Sequence, residues 1–140
     1  MALILDSGAV YALYDSGDKH HAPVKRVIDR ERSPFVIPAA TLAEIDYLLS
    51  EFLGTDAELD FLDALSDGFY ALEPPTAEDL GYCRRVISDY RDLKIGLADA
   101  SVMALAERLN VNRILTVDLR DFRAVKPKKW PAFHLLLEGK

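Results

Sequence analysis

Two rhythms of apolar and polar positions alternate along the chain. Residues 3–5, Leu-Ile-Leu, form an unbroken apolar run of strand length, as expected of a strand buried on both faces. The run ends on Asp6, Ser7 and Gly8. A helix is then predicted from residue 9 to residue 14, followed by a polar loop over residues 15–21. Residues 22–32 place Val24, Val27 and Ile28 on one helical face. Phe35, Val36 and Ile37 read as a second strand, stopped by Pro38. A longer helix runs to about residue 52, with Leu42, Ile45, Leu48, Leu49 and Phe52 as its stripe and Gly54 as its end. Residues 57–65 repeat the pattern with Leu59, Leu62 and Leu65. A short strand at 70–72 precedes Pro74-Pro75, and Thr76 is placed to cap the next helix, lined by Leu80, Cys83, Ile87 and Tyr90. Residues 96–110 form a further helix, 114–117 a strand, and 133–137 the last strand.

Strands separated by helices need crossover connections, and those build a mostly parallel sheet. The expected architecture is one domain over residues 1–140, an α/β/α sandwich of three layers around a mostly parallel central sheet. In such a sheet ligands bind beyond the carboxyl ends of the strands. Asp6 ends the first strand and Asp118 follows the strand at 114–117, so both belong to one rim. Glu44 lies in the helix that leaves the second strand, and that helix starts at the same rim. Asp99 opens a helix that leads into a strand, so topology alone does not put it there. Its neighbours one and two turns on, Met103 and Ala106, are apolar. A carboxylate in such surroundings is poorly solvated unless a positive charge meets it.

Each acid also has a plain structural reading. Thr41-x-x-Glu44 matches a capping box, Asp99 can serve a helix dipole, Asp6 can be an N-cap and Asp118 can start a turn. Gathered on one rim the four would repel, and divalent cations are the usual remedy.

Composition narrows the class. Half of the 140 residues are hydrophobic, and no apolar run approaches the roughly 20 residues of a membrane span. A single cysteine, Cys83, excludes an internal disulfide and points to a cytoplasmic protein. The net charge of −6 suits nucleic acid poorly, but it is unevenly spread. Residues 1–112 carry 10 Lys/Arg against 20 Asp/Glu, whereas residues 113–140 carry 7 against 3. The basic set, from Arg113 through Arg120, Arg123, Lys126, Lys128 and Lys129 to Lys140, is either a solvated surface or a phosphate-contacting edge.

The stretches LDSGAVYAL, TLAEIDYLL, GLADASVMALAERL and ILTVDLRDF, in this order and spacing, resemble the four acidic blocks of the PIN domain. Nearly the whole chain is covered, and its length resembles the VapC-type toxins of prokaryotic toxin–antitoxin pairs. The resemblance implies a ribonuclease dependent on Mg²⁺ or Mn²⁺, with Asp6, Glu44, Asp99 and Asp118 as the acidic set and Asp121 sharing or taking the fourth role. It implies supporting hydroxyls at Ser7 and Thr116; Thr116 and Asp118 would share one face of an extended strand. It further implies an antitoxin that covers the acidic site, and a homodimer.

Such a site needs no protein nucleophile. Hard divalent ions take oxygen ligands, bind the scissile phosphate and lower the pKa of a bound water. Arg120, Arg123, Lys126 and Lys128 would hold flanking RNA phosphates. His20-His21 has no third ligand spaced to join it. Other functions compete with this reading. A receiver-type signalling domain wants an acidic pair after the first strand, and a dehalogenase-like phosphatase wants Asp-x-Asp there; Asp6-Ser7-Gly8 supplies neither. A non-catalytic scaffold and a housekeeping RNA-processing nuclease are the remaining alternatives.

Overall fold

The computed structural model describes residues 2–137. Strand β1 (Leu3–Leu5) is buried along its whole length. It therefore occupies the middle of the sheet, between β2 (Phe35–Pro38) and β4 (Arg113–Leu115). Strands β3 (Tyr70–Glu73) and β5 (His134–Leu135) form the edges, giving the order β3-β2-β1-β4-β5. All four pairings are parallel, with Leu3 opposite Phe35 and Ile4 opposite Ile114.

Successive strand residues face opposite sides of a sheet. Here that alternation splits the core in two. Leu3, Leu5, Ile37 and Leu115 pack under α1 (Ser7–Tyr14), α2 (His21–Arg30), α3 (Leu42–Phe52) and α4 (Thr55–Ser66). Ile4, Val36 and Ile114 pack under α5 (Ala77–Asp89), α6 (Leu97–Leu109) and α7 (Leu119–Ala124). The result is the three-layer sandwich that the alternation of elements predicts.

Caps mark the helix ends where the sequence places them. Thr76 accepts from the Asp79 amide at 3.0 Å and Asp79 accepts from the Thr76 amide at 3.1 Å, a complete capping box. Asn110, in the left-handed conformation, closes α6.

Several predicted boundaries and faces shift. The first helix starts at Ser7, because Asp6 caps it. The strand expected at 114–117 stops at Leu115, and the one expected at 133–137 reduces to two residues. On α4 the buried residue is Phe61, while Leu59 and Leu62 are exposed. On α5 Tyr82, Cys83 and Val86 face the core, and Leu80 and Ile87 do not. Phe52, expected on the stripe of α3, is likewise exposed. In each case the apolar residues outnumber the positions that the sheet can cover, since a helix lying on a sheet buries only one narrow face.

Candidate metal centre

Strand β1 delivers Asp6 to the carboxyl rim. There its backbone takes an extended conformation, and its Oδ1 accepts from the Ala9 amide at 2.8 Å. Thr116 donates its hydroxyl to the other oxygen. The N-cap reading of Asp6 is therefore correct as far as it goes. The residue is 2 % exposed, and burial pushes its pKa up to about 6. The Thr116 and Ala9 donors oppose that shift, while the charges of Asp118 and Glu44 add to it.

Glu44 sits in the first turn of α3. The capping box suggested by Thr41-x-x-Glu44 does not form: Thr41 is fully buried and donates to the Pro38 carbonyl at 2.9 Å. Glu44 instead accepts from the Ser7 hydroxyl and lines the cleft. Ser7 thus joins the first turns of α1 and α3.

Asp99 stands on the same rim. A helix that feeds a parallel strand has to run against it, so α6 begins where the strands end. Burial, aided by the charge of Asp6 and by contact with Asp118, raises the Asp99 pKa to about 8. Asp118 and Asp121 come from the turn into α7 and from its first turn. Thr116 and Asp118 do not share a strand face as expected. The chain leaves the sheet at Thr116, whose Oγ1 accepts the Asp118 amide at 2.9 Å while the hydroxyl turns to Asp6. One hydroxyl thereby sets both acids.

Oxygen atoms of Asp99, Asp118 and Asp121 all lie within 4.8 Å of one another. Asp121 is buried, burial raises its pKa, and its Oδ1 has no hydrogen-bond partner. Three close carboxylates, one buried oxygen of which makes no hydrogen bond and lies 3.5 Å from the Arg120 guanidinium, form a donor set that suits a hard divalent cation. Asp6 and Glu44 line the same cleft, whose volume is about 340 Å³.

The structure thus brings together all five acids singled out in the sequence. It does not bring the basic residues with them. Arg120 reaches Asp121 at 3.5 Å, but Arg123, Lys126 and Lys128 do not line the cleft. Lys128 lies over the Tyr82 ring, its amide donates to Glu107, and the Lys126 amide donates to Tyr90. Arg113 forms a paired contact with Glu31, at 2.7 and 2.9 Å, which holds the Glu31 carboxyl down at about 2. Lys129 bonds the Glu107 carbonyl. His21, expected in the polar loop, is instead the first residue of α2, and its ring bonds the Ala12 carbonyl at 2.8 Å.

Of the charged residues that line the cleft, sequence reasoning missed one, Lys94. It lies outside α6, five positions before Asp99, so no helical spacing links the two.

The PIN domain family model matches residues 3–127. Ribonuclease VapC26 of Mycobacterium tuberculosis is 36% identical over 125 residues, covering 89% of this chain and 93% of that protein. The crystal structure of VapC20 from the same organism, described as a Sarcin-Ricin loop cleaving toxin, matches with a TM-score of 0.76 at 18% identity. That match covers 84% of this chain and 92% of the other. VapBC2 from Rickettsia felis, solved with a DNA fragment from its promoter, matches with a TM-score of 0.68 at 15% identity, over 96% and 97% of the two chains. A rim of five acids at the carboxyl end of a parallel sheet, matched along nearly its whole length, thus places this chain in the PIN-domain family, among its VapC ribonucleases.

Proposed function

We propose that the protein is a metal-dependent endoribonuclease, the toxin of a toxin–antitoxin pair, acting on RNA in the cytoplasm and held inactive by its antitoxin. The observation that carries this reading is the cluster of Asp99, Asp118 and Asp121, faced by Asp6 and Glu44 across one cleft. Among the described residues no helix is long and apolar enough to cross a membrane.

Asp99, Asp118 and Asp121, with Asp6, would hold Mg²⁺ or Mn²⁺. When bound, the ion supplies Lewis acidity at the phosphate and a water acidic enough to attack near neutral pH. The chain's own residues prepare the place. Thr116 and the Ala9 amide fix the Asp6 carboxylate, and Ser7 fixes Glu44. Fixing acids by outer hydrogen bonds keeps the donor set from collapsing or splaying when the ion is absent. With its pKa raised to about 8, Asp99 carries a proton near neutral pH until a cation replaces it, whereas Asp6, near 6, is protonated only on the acid side of neutrality.

The test is cleavage of total RNA by purified protein with Mg²⁺, Mn²⁺ or EDTA, alongside calorimetric titration of Mn²⁺. Cleavage is expected only with metal, and Asp99→Asn should abolish it while weakening Mn²⁺ binding. Cleavage that persists in EDTA would overturn the reading. So would Mn²⁺ affinity that is indifferent to Asp99→Asn.

A further inference from the structure

A second groove adjoins the acidic cleft. Its volume is about 500 Å³, and it runs between α5 and the start of α6. Its floor is apolar: Leu80, Ile87 and Leu97 are 47%, 37% and 50% exposed. Its edge carries Arg84, Arg91 and Lys94. In a chain of net charge −6, three cations along one groove are a local reversal of sign. Among the described residues no ion pair engages any of the three. By contrast, four of the C-terminal basic residues are occupied: Arg113 by Glu31, Arg120 by Asp121, Lys128 by Tyr82 and Lys129 by Glu107.

Lys94 lines both the groove and the acidic cleft, so the two adjoin at this side chain. It stands at φ 55 and ψ 44, a left-handed conformation that glycine adopts without cost and lysine does not. The turn Arg91–Leu93 fixes it there, with the Lys94 amide donating to the Arg91 carbonyl at 3.2 Å. A left-handed position filled by lysine is explained if the ammonium, not the backbone, is what the site requires.

The geometry points to Arg84, Arg91 and Lys94 as the track along which RNA enters the acidic cleft, in place of the C-terminal basic run. This rests on the ribonuclease reading above. Lys94 holds the phosphate next to the one being cut. Arg91 and Arg84 hold phosphates further along, and the bases lie against Leu80, Ile87 and Leu97. Single-stranded RNA is the substrate class that this combination fits, since it presents separated phosphates on one side and unstacked bases on the other.

The experiment measures binding apart from cleavage. A fluorescein-labelled single-stranded RNA of mixed sequence is titrated against Asp99→Asn protein by anisotropy, in Mg²⁺ and at several salt concentrations. Arg84→Ser, Arg91→Ser and Lys94→Gln are added singly and together. The triply substituted Lys25→Gln, Arg26→Ser, Arg30→Ser protein, altered on the exposed side of α2, controls for net charge. Each groove substitution should weaken binding several-fold and reduce the salt slope by about 0.7 for each phosphate no longer held. Lys94→Arg should restore binding, and the α2 control should change little. In the cleaving protein the Arg84→Ser, Arg91→Ser pair, remote from the acids, should raise KM more than it lowers kcat.

Unchanged RNA affinity in the triple variant would overturn the assignment, and this result stands whether or not the wild type cleaves RNA. Displacement of RNA by poly-glutamate as readily as by poly-uridylate would assign the groove to an acidic protein instead. A wild-type dimer in sedimentation that the triple variant dissociates would make the groove a subunit contact. Either result overturns the proposal.

Discussion

Asp99 keeps its proton because folding buries it beside three other acids, Asp6, Asp118 and Asp121. In the unfolded chain it titrates near 3.8, and in the folded metal-free protein near 8. Between those values the folded state binds the extra proton, so the stability this residue contributes is complete below about pH 4 and is lost as pH rises towards 8. Metal-free wild type should therefore lose melting temperature relative to Asp99→Asn across that window. The difference between the two proteins isolates the residue, because Glu31 acts in the opposite sense, at lower pH. Saturating Mn²⁺ should abolish the difference in favour of wild type, and Mn²⁺ affinity should rise with pH through the range 6 to 8 as Asp6 and Asp99 ionise. A melting curve indifferent to pH in both proteins would remove the electrostatic account. Gly8 makes a different demand. A Cβ built there would meet the Val117 Cγ2 at 2.8 Å, and Val117 is a stiff side chain adjoining Asp118. Gly8→Ala is expected to cost about 1–3 kcal/mol by overpacking, read by urea denaturation, and to impair cleavage by moving the turn that carries Asp118.

At the scale of elements, the junction after β4 concentrates the function. Thr116 leaves the ladder so that its one hydroxyl can donate to Asp6 and accept from the Asp118 amide. Thr116→Val removes both bonds at nearly constant shape. Mn²⁺ affinity should fall roughly 10–100-fold, the range for outer-shell partners of a metal site, and Thr116→Ser should recover most of it. Equal affinity in the valine variant would show that Asp6 needs no such support. This junction also shows what sequence can and cannot display. The acids and the sheet that carries them were legible, because strands and helices alternate and each acid follows an apolar run. The termination of β4 at Leu115 was not, since Ile114-Leu115-Thr116-Val117 is uniformly good strand sequence and only the partner at Asp6, 110 residues away, ends it. The Thr41–Glu44 pair misled in the same way: its spacing fits a cap, but Thr41 turns to the Pro38 carbonyl. Lys94 was invisible because its place in the cleft depends on a left-handed turn, which leaves no periodic trace.

At the scale of the molecule, the cleft is acidic, and an arginine is its natural competitor. A guanidinium pairs with carboxylates in a planar fork and would occupy the place of the ion. An antitoxin-type peptide carrying an arginine should bind more weakly in excess Mn²⁺, and Asp6→Ala should weaken it further; calorimetric titration reads both. Affinity indifferent to metal and mutation would place the inhibitor elsewhere. The order of the strands has one more consequence, which concerns time. β1 is the first strand made, yet one of its neighbours, β4, is nearly the last, and Asp6 has its hydroxyl partner at Thr116. During synthesis the amino-terminal half can pair β1 with β2 and still possess no complete acidic cluster, because Asp118 and Asp121 have yet to emerge. A polypeptide that ends at Asn110 should neither cut RNA nor unfold cooperatively, because it lacks β4 and both of those acids.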